Sequence, residues 1–266
     1  MRNILTTQNR DLLRELVKTD FKLRYQGSAL GYVWSLLRPL LLFLILYVVF
    51  VRFLRVGDGV PHFPIYLLLG IVLWSFFAEM TSQSLTAITS RGDMIKKVRI
   101  KKWIIILSSS ISALISLMLN LVVVTVFMVI NRVELTFNVL YFPLILIETY
   151  ILALGISLIL AAAYVKYRDI SYVWEVILQA DFYATPILYP LTLIANPFYQ
   201  KLVMINPMAQ AIQDARYALV TQDTVTLSKL VSNDLIVIMP AVLSIVLLVL
   251  GIVFFRKQSS NFAENL

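Results

Sequence analysis

Cysteine is absent from this chain of 266 residues, and histidine occurs once, as His62 between Pro61 and Pro64. The lack of cysteine excludes disulfides, thiol chemistry and cysteine-ligated metals. A single histidine cannot form a histidine metal cluster, and we expect His62 to lie in a loop. In such a loop, it also offers no basis for a catalytic set of serine, histidine and acid. We therefore predict no metal site.

A glycine-rich stretch ending in Gly-Lys-Ser or Gly-Lys-Thr is also missing. The chain therefore has no P-loop with which to cradle a nucleotide. We predict that it is not an enzyme and holds no cofactor of its own. If it takes part in active transport, the energy must come from another subunit or from an ion gradient.

Charged residues are scarce, at 14% of the chain, whereas hydrophobic residues make up 60% and the mean hydropathy is +0.84. A water-soluble domain of this composition would expose more apolar surface than water tolerates. Apolar stretches of roughly 20 residues are long enough to cross a bilayer as helices. We predict an all-α membrane protein with six transmembrane helices, at Tyr32–Phe53, Ile65–Ala87, Trp103–Ile130, Val139–Val165, Tyr172–Tyr189 and Leu235–Phe255.

The basic residues are unevenly distributed between the predicted loops. If the N-terminus is cytoplasmic, 17 of the 23 lysines and arginines fall on the cytoplasmic side. This bias predicts that both termini are cytoplasmic. The net charge of +8 is then mainly an orientation signal, and we expect membrane lipids rather than nucleic acid as partners.

An amphipathic helix is predicted ahead of the first span, from Asn9 to Arg24. Leucines 12, 13 and 16 recur at helical spacing, opposite Arg14 and Lys18. Such a helix lies in the membrane interface. We divide the chain, as a single domain, into a cytoplasmic interface helix (1–31), a six-span region (32–255) and a cytoplasmic tail (256–266).

Two predicted cytoplasmic loops carry charge. The segment Ser90–Lys102 contains six cations, more than orientation alone requires. It is either an ordinary basic loop or a short helix that a soluble partner grips. The segment Lys166–Ile170 offers a smaller contact point on the same side.

The region 190–234 is irregular, because Pro190, Pro197 and Pro207 each interrupt a helix. The stretch Met208–Val220 predicts a fresh short helix. We expect short re-entrant helices that dip into the outer leaflet between spans five and six, and such backbone must be buried in protein or line a cavity.

Acids and aromatics in the spans each have two interpretations. The acids Glu79, Glu148, Glu175 and Asp181 predict either a proton relay or structural pairing. We favour pairing, with Glu175 near Lys166 or Arg168. Aromatic residues at span ends are typical of the interfacial belt, whereas those nearer mid-span, such as Phe43, Tyr47 and Tyr183, suit a wall along which sugar rings slide.

Four segments together resemble the ABC-2 type polysaccharide-export permeases. These are LRYQGSALGYVW at 23–34 followed by LRPL at 37–40, KYRDI at 166–170, TPILYP at 185–190 and NPMAQ at 206–210. Their order and spacing match over nearly the whole chain. The family exports O-antigen, teichoic acid, capsule and related lipid-linked glycans.

The resemblance implies six spans and a homodimer paired with two copies of a separate ATPase, which would bind ATP and Mg. It places the protein in the bacterial cytoplasmic membrane and implies export of a polyprenyl-diphosphate-linked polysaccharide, O-antigen first and teichoic acid or capsule next. The region 191–220 would form an extracytoplasmic gate, with Pro190, Asn206 and Pro207 at its turns. The implied ATPase-docking residues are Arg91, Asp93, Lys96, Lys97, Arg99, Lys166, Arg168 and Asp169.

For the lipid-linked substrate, Arg24 and Arg38 are the candidates to meet the diphosphate, because guanidinium groups suit phosphate oxygens. Anchoring in lipid headgroups is the equal alternative. Tyr189 joins Phe43, Tyr47 and Tyr183 as a candidate channel aromatic.

Three other functions compete with polysaccharide export. One is a proton-coupled secondary transporter that works through Glu79, Glu148 and Asp181. Another is a membrane scaffold or sensor that recruits a soluble protein through its basic loop. The third is an exporter of a small lipid or drug within the same superfamily, which the aromatic content and interface helix fit less well.

Overall fold

A computed structural model describes residues 7–25, 31–97, 100–260 and 262, without the side chains of residues 7, 8, 21–25 and 32. Within these ranges the chain is helical and contains no β-strand, so the all-α prediction is confirmed for this part. The α-helices are α1 (Thr7–Tyr25), α2 (Trp34–Leu46), α3 (Phe63–Ala87), α4 (Gly92–Lys97), α5 (Trp103–Ile130), α6 (Phe142–Lys166), α7 (Ile170–Ala184), α8 (Pro197–Met204), α9 (Pro207–Leu219), α10 (Leu227–Leu230) and α11 (Asp234–Ser259).

Five helical segments in the described ranges are long and apolar enough to cross a membrane. They are Trp34–Phe53, in which α2 continues as a π-helix, Phe63–Ala87, Trp103–Ile130, Phe137–Lys166, in which a 3₁₀ turn precedes α6, and Asp234–Ser259. They correspond to the first four predicted spans and the sixth. The protein is therefore an integral membrane protein.

The predicted fifth span is shorter than expected. Its helix, α7, has 15 residues and measures about 22 Å at a rise of about 1.5 Å per residue, against a hydrocarbon core of roughly 30 Å. The prediction that this helix extends to Tyr189 is wrong. Thr185 adopts an extended conformation with ψ 134°, because the ring of Pro186 disfavours a helical residue before it.

Helix α3 forms the centre of the bundle. Its residues 65–74 are all buried, and it lies against α5, α6 and α9, while α6 lies against α11. The outer faces of α2 and α11 instead expose residues such as Leu44, Ile45 and Val253. These faces are suited to contact lipid, since the hydrocarbon of a bilayer is as apolar as they are.

Glycine allows α6 and α11 to touch backbone to backbone. A Cβ added to Gly155 would lie 2.6 Å from the backbone nitrogen of Leu248, and one added to Gly251 would lie 2.4 Å from the carbonyl oxygen of Gly155. Small residues permit this close approach between helices in membranes. The crossing of α6 and α11 therefore depends on these two glycines.

The predicted amphipathic N-terminal helix is confirmed as α1. Leu16 is buried, Leu12 and Leu13 are partly buried, and Arg14 and Lys18 are exposed. The apolar face packs against α5. This helix is thus fixed to the bundle itself, in addition to any contact that it makes with headgroups.

Replacing Gly155 by valine should destabilise the folded protein by about 3 kcal/mol, as overpacking of a tight contact does. The matched control is Gly59→Val, because Gly59 has no atom within 4 Å of an added Cβ. Thermal unfolding in detergent measures both variants. Equal midpoints for Gly155→Val and the wild type would contradict the close crossing.

Candidate functional site

Both loops predicted to dock on a partner leave the same end of the bundle. That end is held by a group of buried residues, here called the basal cluster. It comprises Leu16, Ala87, Ile88, Ile104, Ile105, Ile106, Leu158, Ala161, Ala162, Val165, Phe255 and Phe262. The cluster joins the end of α3 and the start of α5 to the ends of α6 and α11. The described loop residues 88–97, 100–102 and 167–169 therefore emerge on one face.

The first loop contains the short helix α4. Met94 and Ile95 pack against the basal cluster, whereas Asp93, Lys96 and Lys97 are exposed. The loop is thus a short helix with one anchored face and one charged, open face. Arg99, which was also predicted to dock, lies outside the described residues.

Arg91 has a different environment from its neighbours. Its guanidinium forms an ion pair with Asp20 of α1, and the two side chains are only 19% and 14% exposed. Nη1 of Arg91 donates to the carbonyl oxygen of Ala87 at 3.3 Å, and the Ser108 hydroxyl donates to Oδ2 of Asp20 at 3.0 Å. Burial lowers the pKa of Arg91 from its ordinary value, but arginine remains protonated. Arg91 therefore ties α1 to the turn before α4.

The second loop presents its charges to solvent. Lys166, Arg168 and Asp169 are all exposed. Nζ of Lys166 lies 5.1 Å from the ring centroid of Tyr167, and the Arg168 guanidinium lies 5.2 Å from that of Tyr164. Among the described residues, neither cation forms an ion pair with Glu175. The pairing predicted for Glu175 is therefore not present, because aromatic faces take up both cations.

The structure places Arg38, one of the two predicted lipid-contact arginines, near the start of α2. Arg38 is exposed, on a helix whose outer face is also exposed. The side chain of Arg24 lies outside the described residues. The structure therefore gives the position of one of the two candidates.

The predicted channel aromatics fall into two separate groups. Phe43 is buried, with its ring centroid 5.8 Å from Tyr47 and 5.9 Å from Phe127. Tyr183 is exposed on α7, and the Tyr189 hydroxyl donates to its carbonyl oxygen at 3.2 Å. No ring contact joins the two groups in the described part of the chain.

An aromatic row that the sequence did not predict attaches α7 to α3. Trp74 lies 5.6 Å from Phe77 and 5.7 Å from Phe182, and Phe77 lies 6.3 Å from Trp174, between ring centroids. The Trp174 indole also donates to the Thr81 hydroxyl at 3.2 Å. These contacts hold α7, which itself has no buried residue.

The predicted turn residues of the outer region define the start of α9. Oδ1 of Asn206 accepts from the backbone nitrogen of Met208 at 2.9 Å and so caps the helix, while Pro207 occupies its first turn. Nδ2 of Asn206 donates to Asp181 of α7 at 2.8 Å. Pro190 is buried at the end of the segment 185–190. Asn206 therefore links α9 to α7.

Arg216, which sequence reasoning counted only as an outer loop charge, is fully buried in the bundle. It donates to the carbonyl oxygens of Tyr66, Pro186 and Ile187 at 2.9, 2.5 and 2.7 Å. Its guanidinium lies 3.6 Å from the ring centroid of Tyr66, and Gln213 Oε1 accepts from it at 3.3 Å. One side chain thus joins α3, α9 and the segment 185–190.

A signal for Arg216 does exist in the sequence. The helical stretch places it directly after Ala215 and four residues after Ile212, on the apolar side. Gly70 gives no such signal, although an added Cβ there would lie 2.5 Å from Nη2 of Arg216. Only contact information connects these two positions.

The intramembrane acids have mostly local partners. Gln83 donates to Glu79 at 3.1 Å, and Asp181 accepts from Asn206 and Thr185. Glu148 has one buried carboxylate oxygen without a hydrogen-bond partner in the described chain. Asp214, an acid that was not singled out from sequence, accepts from Gln210 at 2.8 Å. For Glu79 and Asp181 these contacts agree with structural pairing.

Replacing Arg216 by methionine should lower stability by at least about 3 kcal/mol, because three buried carbonyls each lose a donor at a cost of about 1–3 kcal/mol. Gly70→Ala should cost less, and should cost almost nothing in the Arg216→Met background, where the obstructed guanidinium is gone. Thermal unfolding of the two single variants and the double variant measures this coupling. Arg55→Met is the exposed control, and strict additivity of the two changes would contradict the contact.

Exchanging the charges of Asp20 and Arg91 tests the basal ion pair. Asp20→Arg and Arg91→Asp should each destabilise the protein, and the double exchange should recover about 1–2 kcal/mol, between the values of exposed and buried pairs. The same thermal assay applies. Lys96→Asp serves as control, because Lys96 is exposed. A double variant no better than the sum of its parts would show that the pair contributes nothing.

Comparison of the sequence with known proteins identifies a matching family and several similar proteins. The model of the ABC-2 type transporter family matches residues 11–220. The chain is 29% identical to the O-antigen export system permease protein RfbA of Myxococcus xanthus over 260 residues, or 97% of this chain and 96% of that protein. It is 29% identical to RfbA of Klebsiella pneumoniae over 96% of this chain and 95% of that protein. It is 25% identical to the polysialic acid transport protein KpsM of Escherichia coli over 75% and 77% of the two chains.

The matched range begins within α1 and ends at residue 220, directly after α9, and it includes all four resembling segments of the sequence. The predicted resemblance is therefore confirmed at the level of the family. With its apolar spans, its basal loops and this match over most of its length, the chain belongs to the ABC-2 type transporter family.

Proposed function

We propose that the chain is the membrane permease subunit of an ATP-driven exporter of a lipid-linked polysaccharide. The observation that carries this proposal is the similarity to O-antigen export permeases along 97% of this chain and 96% of the relative. The substrate is a glycan on a polyprenyl diphosphate, with O-antigen as the first choice and teichoic acid or capsule as the next.

The two basal loops form the docking surface for a separate ATPase. Helix α4 offers Asp93, Lys96 and Lys97 on its open face while Met94 and Ile95 hold it to the bundle. Arg168 and Asp169 are exposed at the same end. Because α4 is anchored, it can transmit a movement of the partner to α3 and α5, whereas a flexible loop would bend without moving them. ATP and Mg are bound by the partner.

Two copies of the chain with two ATPase copies make the complete exporter. Helix α7 has no buried residue and exposes Val173, Val176 and Ile177, and α2 exposes Leu44 and Ile45. Because few of their residues are buried, these two helices are suited to form a movable interface, or seam, between the two copies. The seam would open a passage for the glycan, along which Phe43, Tyr47, Tyr183 and Tyr189 supply aromatic faces.

In this arrangement α7 is the fifth of six spans, completed by residues 185–190, and α8 and α9 are re-entrant helices at the outer side. Both termini and the basal cluster face the cytoplasm, and the membrane is the bacterial cytoplasmic membrane. Support comes from the segment before α3, the segment after α5 and the end of α9, because the predicted orientation puts all three on the outer side. Parts of all three line one cavity.

Reconstitution with the partner ATPase tests the function. Proteoliposomes should expose a polyprenyl-diphosphate-linked glycan to a lectin when ATP is supplied, even with the proton gradient collapsed by an ionophore. A partner with its P-loop lysine replaced should abolish the signal. Loss of transport with the ionophore alone would favour a proton-coupled transporter, and transport of the bare lipid diphosphate but not the glycan would favour a small-lipid exporter.

Replacing both Arg24 and Arg38 by glutamine should lower export at least about tenfold, since charge-assisted hydrogen bonds to phosphate contribute about 1.5–3 kcal/mol. Membrane insertion should remain normal. The matched control replaces Arg10 and Arg14 of α1, both of which are likewise exposed. Unchanged export in the Arg24 and Arg38 double variant would assign these residues to headgroup anchoring.

A further inference from the structure

A polar cavity lies at the end of the bundle opposite the basal cluster. It has a volume of about 350 Å³ and is bounded by residues before α3, after α5 and at the end of α9. The basal cluster, in contrast, contains the end of α3 and the start of α5. This outer cavity is within the size range of small-ligand sites, about 300–1,000 Å³.

Three separate segments contribute polar groups to the outer cavity. His62 comes from the first, Arg132 and Glu134 from the second, and Tyr217 and Gln222 from the third. Within the described residues, the side chains of His62, Arg132 and Glu134 form no hydrogen bond or ion pair. Their donors and acceptors are therefore available to a ligand.

Backbone strain is concentrated at the same cavity. Three described residues other than glycine have a positive φ, namely Arg55, His62 and Arg132, and the last two, at 54° and 52°, line the cavity. Residues in this conformation carry a free-energy cost and tend to occur where a site requires a particular geometry. Arg55 does not line the cavity and thus provides a natural comparison.

The chemistry of the lining favours a neutral, hydroxyl-rich ligand. The charges of Arg132 and Glu134 cancel, which does not favour a phosphate or a strongly acidic group. Guanidinium, carboxylate and amide groups together can both donate to and accept from sugar hydroxyls. Nζ of Lys229 lies 4.7 Å from the ring centroid of Tyr217 and also donates to the carbonyl of Thr224 at 3.0 Å, so the aromatic ring is held in place.

We propose that the outer cavity binds a neutral sugar unit of the exported chain as it leaves the protein. The proposal rests on polysaccharide export as the function, and it adds a saccharide site that export itself does not require. Weak binding is expected, because the cavity is open to the aqueous side and offers one aromatic face.

Saturation-transfer NMR on the full chain, in nanodiscs prepared without sugar-headed detergent, tests the proposal. The probes are mannose, galactose, rhamnose and N-acetylglucosamine, with glucuronate and inorganic phosphate as acidic comparisons. At least one neutral sugar should receive saturation from the wild type. The Arg132→Gln and Glu134→Gln double variant, which keeps the net charge, should bind it at least about tenfold more weakly. Tyr217→Ala should also weaken binding, and Arg55→Gln should bind as the wild type does.

Several outcomes would overturn the proposal. These are no saturation of any neutral sugar, equal binding by the double variant, or binding of only glucuronate or phosphate. Size-exclusion profiles and thermal midpoints show that the variants are folded. If wild-type proteoliposomes export the glycan but bind no sugar here, the site is wrong and the function stands. If sugar binds at the cavity but no glycan is exported, the site stands and the function is wrong.

Discussion

The end of the bundle opposite the basal cluster depends on one buried guanidinium. The segment 185–190 is not helical, because Pro186 and Pro190 interrupt it, and the carbonyls of Pro186 and Ile187 therefore lack helical donors. At membrane depth such groups must find partners within the protein. Arg216 supplies them from α9, and its five donors suit several carbonyls at once. Irregular backbone and a buried charge, each costly alone, thus satisfy each other.

This interaction divides the molecule into a firm part and a loosely covered part. Arg216 and the aromatic face of Tyr66 join α9 to α3, which is itself enclosed by α5 and α6. Helices α2 and α7 have far fewer buried residues. Motion driven from the basal end is therefore easier to accommodate at α2 and α7, because little packing is lost there. The contact between Asn206 and Asp181 is the point at which movement of α7 would reach α9.

Hydrophobic periodicity and the distribution of charges determine which features of the fold could be predicted from the sequence. Long apolar runs gave the bounds of α5, and helical spacing of leucines gave α1 and its buried face, because both are local properties. The predicted end of α7 was wrong, although Pro186, which ends the helix, is present in the sequence. The apolar run continues past this proline and so gives no sign that the backbone changes conformation there. The sequence predicted Arg216 only as one of the charges outside the cytoplasm and Arg91 only as an ATPase-docking residue. Their partners lie far away in the sequence, on α3 and α1, and charge counting contains no information on depth.

Arg91 at the basal end and Arg132 at the opposite end have contrasting environments, and the proposed function would explain the difference. At the basal end, Arg91 is paired with Asp20, and this pair fixes the surface on which the proposed ATPase would push. At the outer end, Arg132 and Glu134 line one cavity without pairing. A conduit for a long chain must bind each unit strongly enough to guide it and weakly enough to release it, as conduction in channels also requires. Unpaired but mutually balanced charges meet that requirement, because they offer hydrogen bonds to passing hydroxyls without the strong attraction of an uncompensated charge.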